Sequence, residues 1–234
     1  MLQGTVTVWD PLAVHESTSA ASLTTLQPVR ELDNGKEKMG IVTLSAFDNY
    51  LVAGDILGAF RVWIDGVQHC FPLLGNQCGD RYRTDDGQIT AVALHAPKNR
   101  FYAARGRKIY MWRWSDVRMS LKYMLARANP TPLAVFALEE DQTALVCSLA
   151  CSDSGRVFSG QDDGTIAVWP LSSDPSDAAN NDDDEYEYEY DLTEQAPDER
   201  FAAFGSGVVR VYNIHHAIWS CSSTADVIRI WSGC

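Results

Sequence analysis

The chain has 234 residues, 46% of them hydrophobic, and a formal net charge of −12. That length can bury a sizeable core in one or two domains. No apolar run reaches the roughly 18 residues of a membrane-spanning helix, and MLQGTVTVWD at the N-terminus has neither the basic region nor the apolar region of a secretory leader.

The acidity is local. Asp174, Asp177, Asp182, Asp183, Asp184, Glu185, Glu187, Glu189, Asp191, Glu194, Asp198 and Glu199 fall in one stretch without Lys or Arg. Setting those twelve aside leaves 19 acids against 19 bases, so the rest of the chain is close to neutral. An acidic segment of this kind is no evidence for nucleic-acid binding. Cys70, Cys78, Cys147, Cys151, Cys221 and Cys234 form no CxxC pair and mostly sit in or beside apolar strands. They read as small buried hydrophobes of a reducing compartment, which predicts a cytoplasmic or nuclear protein. The spacing of His69, Cys70 and Cys78 matches no familiar zinc site, and no metal or other cofactor is expected.

Taken in chain order, five strand-like segments end in tryptophan. They are GTVTVWD (Gly4–Asp10), AFRVWID (Ala59–Asp65), KIYMWRW (Lys108–Trp114), TIAVWPL (Thr165–Leu171) and VIRIWSG (Val227–Gly233), anchored by Trp9, Trp63, Trp112, Trp169 and Trp231. A recurrence of about 40–50 residues marks a repeat architecture. The segment before Trp169 reads as an apolar strand, the turn SDSG, the strand RVFSG, the hairpin turn QDDG and the strand TIAVW. From the first apolar residue of the inner strand to the tryptophan the spacing is 22 for Ile41–Trp63 and 23 for Ile89–Trp112, Val146–Trp169 and Val208–Trp231.

This pattern resembles the WD40 repeat, with Ser159 on the middle strand and Asp163 six residues before Trp169 where that family has them. The resemblance implies an all-β fold: a WD40-like β-propeller of four-stranded antiparallel blades, with each tryptophan packed between blades. Other repeats depart from the pattern. The family's Gly-His pair is absent throughout, and Gln3, Leu57 and Ala225 stand six before their tryptophans. The hydrogen-bonded network of the family is therefore expected to be incomplete. A second register for the last repeat gives Tyr212 the tryptophan role.

In this family the outermost strand follows the tryptophan, so about four to five blades are expected where about seven are usual. Residues 1–35 would end a first blade, with Thr25–Leu32 as its outer strand. Residues 36–84 form a blade, and 85–138 form a blade with a helical insertion at 115–128. Residues 139–173 form a third, with the acidic insertion 174–199 before or within its outer strand, and 200–234 form a last, incomplete one. A partial propeller is the expectation, either a piece of a longer protein or a half completed by another chain.

Two insertions carry charge. Lys98–Arg127 holds nine bases against Asp116 alone, and Ser115–Pro130 reads as a short helix with Ser115 as its N-cap. Arg105, Arg107, Lys108, Arg118 and Lys122 are the candidate contacts of an anionic ligand such as a phosphoinositide or RNA; the accompanying Phe101, Tyr102, Tyr110 and Trp114 would be strand core in a propeller. The alternating acids and aromatics of Asp182, Asp183, Asp184, Glu185, Tyr186, Tyr188 and Tyr190 could dock a basic partner. The two insertions could also meet each other. His15, His69, His95, His215 and His216 show no triad or metal spacing, and no phosphate-binding glycine loop or GxSxG occurs. The leading expectation is a non-enzymatic protein-interaction scaffold in a multiprotein assembly. A regulatory propeller of a larger enzyme or signalling protein is the alternative, and an anionic-ligand binder a second one.

Overall fold

Short apolar runs separated by Gly- and Asp-bearing turns pair into antiparallel sheets, because each hairpin satisfies its own backbone groups locally. The structure, a computed structural model, describes residues 6–9, 28–32, 40–47, 50–56, 58–64, 67–72, 87–122, 132–139, 143–170 and 194–231.

β1 (Val6–Trp9) and β2 (Pro28–Leu32) form a two-stranded antiparallel sheet. The first four-stranded sheet runs in order through β3 (Ile41–Phe47), β4 (Tyr50–Asp55), β5 (Ala59–Ile64) and β6 (Val67–Pro72). The second contains β7 (Ile89–His95), β8 (Arg100–Arg105), β9 (Lys108–Arg113) and β10 (Ala134–Ala137), with the helix α1 (Trp114–Lys122) between its last two strands. The third contains β11 (Val146–Cys151), β12 (Val157–Gln161), β13 (Thr165–Trp169) and, beyond a two-residue strand β14 (Glu194–Gln195), β15 (Glu199–Ala202). The fourth has three strands: β16 (Val209–Ile214), β17 (Ala217–Ser222) and β18 (Ala225–Trp231). Trp231 thus ends a third strand, and Tyr212 lies on the innermost one.

The acidic stretch does not simply close its own blade. Its end first adds β14, in parallel, to β10 of the second sheet. Only then does β15 pair with β13. Glu194, Gln195 and Glu199 are therefore strand residues, and 196–198 connect the two strands.

The inner strands of the four large sheets stand side by side in the order β3, β7, β11, β16. Between sheets the packing repeats. Phe60 of the first sheet meets Phe101 and Trp112 of the second, with ring centroids 5.3 and 5.6 Å apart. Phe136 of the second meets Trp169 of the third at 6.0 Å, edge to face. Phe201 of the third meets Trp231 of the fourth at 4.9 Å. The second, third and fourth sheets therefore each turn their tryptophan face onto the preceding sheet, an arrangement in which aromatic pairs gain beyond the area they bury.

Close approach requires small residues on the facing middle strand. A Cβ on Gly54 would stand 2.4 Å from Ile89 Cγ2, and one on Gly160 would stand 2.5 Å from the Val209 carbonyl oxygen. Hydroxyls tie neighbouring inner strands together. Thr90 donates to the Val146 carbonyl at 2.5 Å, and Ser148 donates to Val209 O at 3.0 Å while accepting from Val211 N at 3.1 Å.

The helix starts one residue earlier than its sequence suggests, and Ser115 is not its cap. Asn99, in the β7–β8 connection, accepts from Ser115 N through Oδ1 at 2.8 Å and from Trp114 N through its carbonyl at 2.9 Å. Sheet pairing brings this distant residue to the helix start, so a local reading of the sequence misses it.

The polar ties of the repeats are unequal. Trp169 donates to Ser159 Oγ at 2.9 Å, and Trp231 donates to Ser220 Oγ at the same distance. In the first sheet Ala53 holds the place of Ser159, and an ion pair is buried instead. Asp55 accepts from Ala59 N at 2.9 Å and from Arg61 Nε and an Nη at 3.2 and 3.1 Å, with both side chains almost wholly out of solvent. A carboxylate removed from such a pair leaves a buried guanidinium without its counter-charge. Asp55→Ala is expected to cost about 3–5 kcal/mol, and Asp55→Ala with Arg61→Met much less. Urea unfolding of the two variants checks this; equal losses would contradict it.

Candidate functional site

The ends of all four inner strands converge on one concavity. Ser45–Phe47, Val92–Pro97, Leu149–Asp153 and Val211–His216 line a cavity of about 1110 Å³. Its rim is polar because the inner strands end there in turns whose backbone and side chains must bond outside the sheet.

His95 caps a 3-10 turn over Ala96–Lys98, accepting from Lys98 N through Nδ1 at 3.1 Å, and its Nε2 lies 3.3 Å from the Asp153 carbonyl oxygen. Asn213 donates to Cys151 O at 2.8 Å and to Asp153 Oδ1 at 3.0 Å. His216 pairs with the other Asp153 oxygen through Nδ1. The Asn213 amide first, and His216 second, hold the Asp153 carboxyl below its usual range. His215 and His216 form the two-residue turn from β16 to β17 with φ of 50° and 63°. A primed hairpin turn of this kind normally takes Asn-Gly, and two non-glycine residues at positive φ carry strain of about 1 kcal/mol each. The His216–Asp153 contact offsets part of it and fixes the turn against the third sheet.

Asp153, Asn213 and His216 were not singled out by their sequence spacing as contact residues. They lie about 60 positions apart, and only the stacking of β11 against β16 joins them. The only hint in the sequence was the His-His pair between two strand-like segments.

The basic residues do not make one surface. Arg105, Arg107 and Lys108 surround the β8–β9 turn, whereas Arg118 and Lys122 lie on α1 beyond the far end of β9. Six residues of strand separate the two groups by on the order of 17 Å. Arg107 donates to the Glu139 carbonyl at 3.2 Å, and Arg105 lies beside Gly58. Lys108 pairs with Glu194, at the end of the acidic stretch. The Arg118 guanidinium sits over the Tyr50 ring, 5.9 Å from its centroid. Phe101, Tyr102, Tyr110 and Trp114 are buried among the strands. Asp182, Asp183, Asp184, Glu185, Tyr186, Tyr188 and Tyr190 lie outside the described residues.

Of the repeat residues, Trp63, Trp112 and Trp169 are buried at the ends of third strands, Trp231 is partly buried, and Trp9 ends β1. Asp163 accepts from Thr165 N at 3.0 Å and from Arg200 at 2.5 Å across the hairpin, rather than joining the Trp169–Ser159 pair. Among the described residues no group of three His, Cys, Asp or Glu side chains could hold a metal ion, and no helix is long and apolar enough to cross a membrane.

Sheets that stack radially through tryptophan faces around a shared inner edge define a propeller. The fold is that of a WD40-like β-propeller. Solved structures agree with it. The chain matches the WD40 β-propeller domain of Doa1 with a TM-score of 0.54 and 16% identity, over 88% of this chain and 53% of that one. It matches a chain of the mitotic checkpoint complex with a TM-score of 0.55 and 12% identity, over 87% of this chain and 53% of that one. The computationally designed Ika8 protein matches with a TM-score of 0.51 and 17% identity, over 89% of this chain and 50% of that one. The chain thus spans about half the length of each. No protein-family model matches the sequence, and no curated protein does.

The stacked sheets also set cysteine reactivity. Burial pushes the Cys151 thiol up to about 12, so it stays protonated and enclosed at neutral pH. Native alkylation followed by peptide mass spectrometry is expected to leave Cys151 unmodified until the protein is denatured. Rapid native labelling of Cys151 would contradict the packing of β11.

Proposed function

We propose that this chain is a WD-repeat scaffold without catalytic activity of its own, which holds protein partners at the concave end of its inner strands. The observation that carries this reading is the convergence of four rigidly joined strand ends on one cavity of about 1110 Å³ with a rim of imidazole, carboxylate and amide groups. A surface of that size with fixed donors and acceptors suits a segment of another protein, because a preformed site loses little entropy on binding. The polar groups at the rim bond one another and hold the turn, which fits recognition better than acid–base chemistry. The checkpoint-complex chain is one propeller with this fold that belongs to a multiprotein assembly, and fold alone assigns no function.

The division of the basic residues into two groups, with Lys108 engaged by Glu194, weighs against a single phosphoinositide or RNA surface. The half-length match to other propellers keeps the alternative of a regulatory piece within a larger enzyme or signalling protein. In either setting the concavity is the proposed docking place.

The test is to isolate the tagged protein from its own cells, identify partners present in stoichiometric amounts, and repeat with Asp153→Lys plus His216→Ala. Both side chains are exposed, so the fold is expected to persist. Partner recovery should fall by about tenfold or more, as for a central contact. Full recovery with the double variant would remove the concavity from the reading. A deletion limited to residues 174–191 serves as the second arm, since one extending to Glu199 would take β14 from the second sheet and part of β15 from the third.

A further inference from the structure

In the first three sheets a fourth strand pairs antiparallel with the third: β6 with β5, β10 with β9 and β15 with β13. In the fourth sheet β18 is outermost, and among the described residues no strand pairs with its outer side. The fourth strands share one feature. Phe60, Ile109 and Ile166 each stand three places before the tryptophan of their third strand, and the residues opposite them are Phe71, Phe136 and Phe201. Phe60, Ile109 and Ile166 are all buried. Their counterpart in the fourth sheet is Ile228, three places before Trp231 and opposite Cys221 of the middle strand. Ile228 is 64% exposed, and Ile230, on the same face, is 57% exposed. The fourth sheet thus presents one half of a cross-strand pair whose other half is phenylalanine in each of the other three sheets.

The next rung carries a charge. Arg229 lies opposite Ser220, is exposed, and holds its guanidinium 5.1 Å from the centroid of the Phe204 ring. At the matching rung of the other sheets Cys70 faces Arg61, Val135 faces Tyr110 and Arg200 faces Ala167. The repeat therefore does not dictate this residue. An exposed arginine favours an acid opposite it, and the antiparallel direction places that acid immediately before the phenylalanine. The edge is also unguarded. β18 has seven residues without proline or lysine, and five of them, Asp226–Ile230, are exposed. A register shift between Cys221 and Ser222 leaves the regular ladder running from Ile228 to Trp231.

We propose that the outer edge of β18 takes an extended segment of a partner protein as its fourth strand. The segment runs antiparallel to β18, with a phenylalanine opposite Ile228 and, directly before it, an acidic residue opposite Arg229. Main-chain hydrogen bonds along the edge supply the affinity, and the two side chains supply the specificity. None of the phenylalanines in this sequence follows an acidic residue, so the pair has to come from a different protein and not from a second copy. The inference goes beyond the scaffold reading and does not depend on it, since β18 contributes no residue to the concavity.

The probe is a synthetic peptide with the sequence of residues 197–203, which bears Phe201, carrying Arg200→Glu to place the acid. Titrated onto the purified chain, it should bind with a dissociation constant on the order of 1 mM or tighter, and it should slow amide exchange selectively in β18. Phe201→Ala in the peptide should weaken binding by about tenfold or more. Arg229→Glu in the protein should weaken binding of the same peptide by about twofold or more. The peptide that keeps Arg200 should then bind this variant better than the Glu peptide does, a reversal that a misfolded variant cannot give. Absence of binding up to about 5 mM peptide overturns the proposal. Equal binding of the Phe201→Ala peptide, or protection that arises outside the fourth sheet, overturns it as well. So do β18 amides that exchange as slowly as those of β13 before any peptide is added, since the edge would then be filled by this chain or a second copy.

Discussion

Everything in this molecule depends on one contact: the tryptophan-bearing face of each sheet pressed onto the apolar face of the sheet before it. A three- or four-stranded sheet with two apolar faces cannot be stable in water on its own, so each sheet supplies the solvent-free surface its neighbour needs. The demands of that contact explain the local sequence. Third strands end in Trp112, Trp169 and Trp231, middle strands narrow to Gly54, Ala104 and Gly160, and inner strands carry Thr90 and Ser148 to bond the next backbone.

The same contact sets the candidate site. By aligning the inner strands it brings His95, Asp153, Asn213 and His216 from three sheets to one rim. It also leaves Ile228 and Ile230 of the fourth sheet exposed. The acidic stretch adds a second tie between sheets, since β14 joins β10 and Glu194 meets Lys108 before the chain returns to its own blade.

The propeller was legible in the sequence because its signal is local and repeated. The strand endings at Trp63, Trp112, Trp169 and Trp231 each follow the first apolar residue of their inner strand by 22 or 23 positions, and turns such as Asp163-Gly164 mark the hairpins. Ser220 was harder to see, because the β17–β18 register shift places it 11 residues before Trp231, whereas Ser159 lies ten before Trp169. Asp55 with Arg61 carried no signal, since the family pattern looks for its acid two positions later. The Asn99 cap and the Asp153–His216 rim were invisible for a different reason. Their members meet only through sheet pairing or sheet stacking, and neither is written in the neighbouring residues. The basic stretch shows the reverse relation: adjacent in sequence, its residues are divided by the length of β9.

Native-state hydrogen exchange read by mass spectrometry tests the central contact most directly, because it reports how strongly each strand is held by its neighbours. If sheets are stabilised chiefly by the faces stacked on them, amides of β8, β9, β12 and β13 should exchange slowest, and those of β17 and β18 markedly faster. Protection of β18 equal to that of β9 would contradict the account, since it would mean that each sheet holds itself together without the tryptophan junctions.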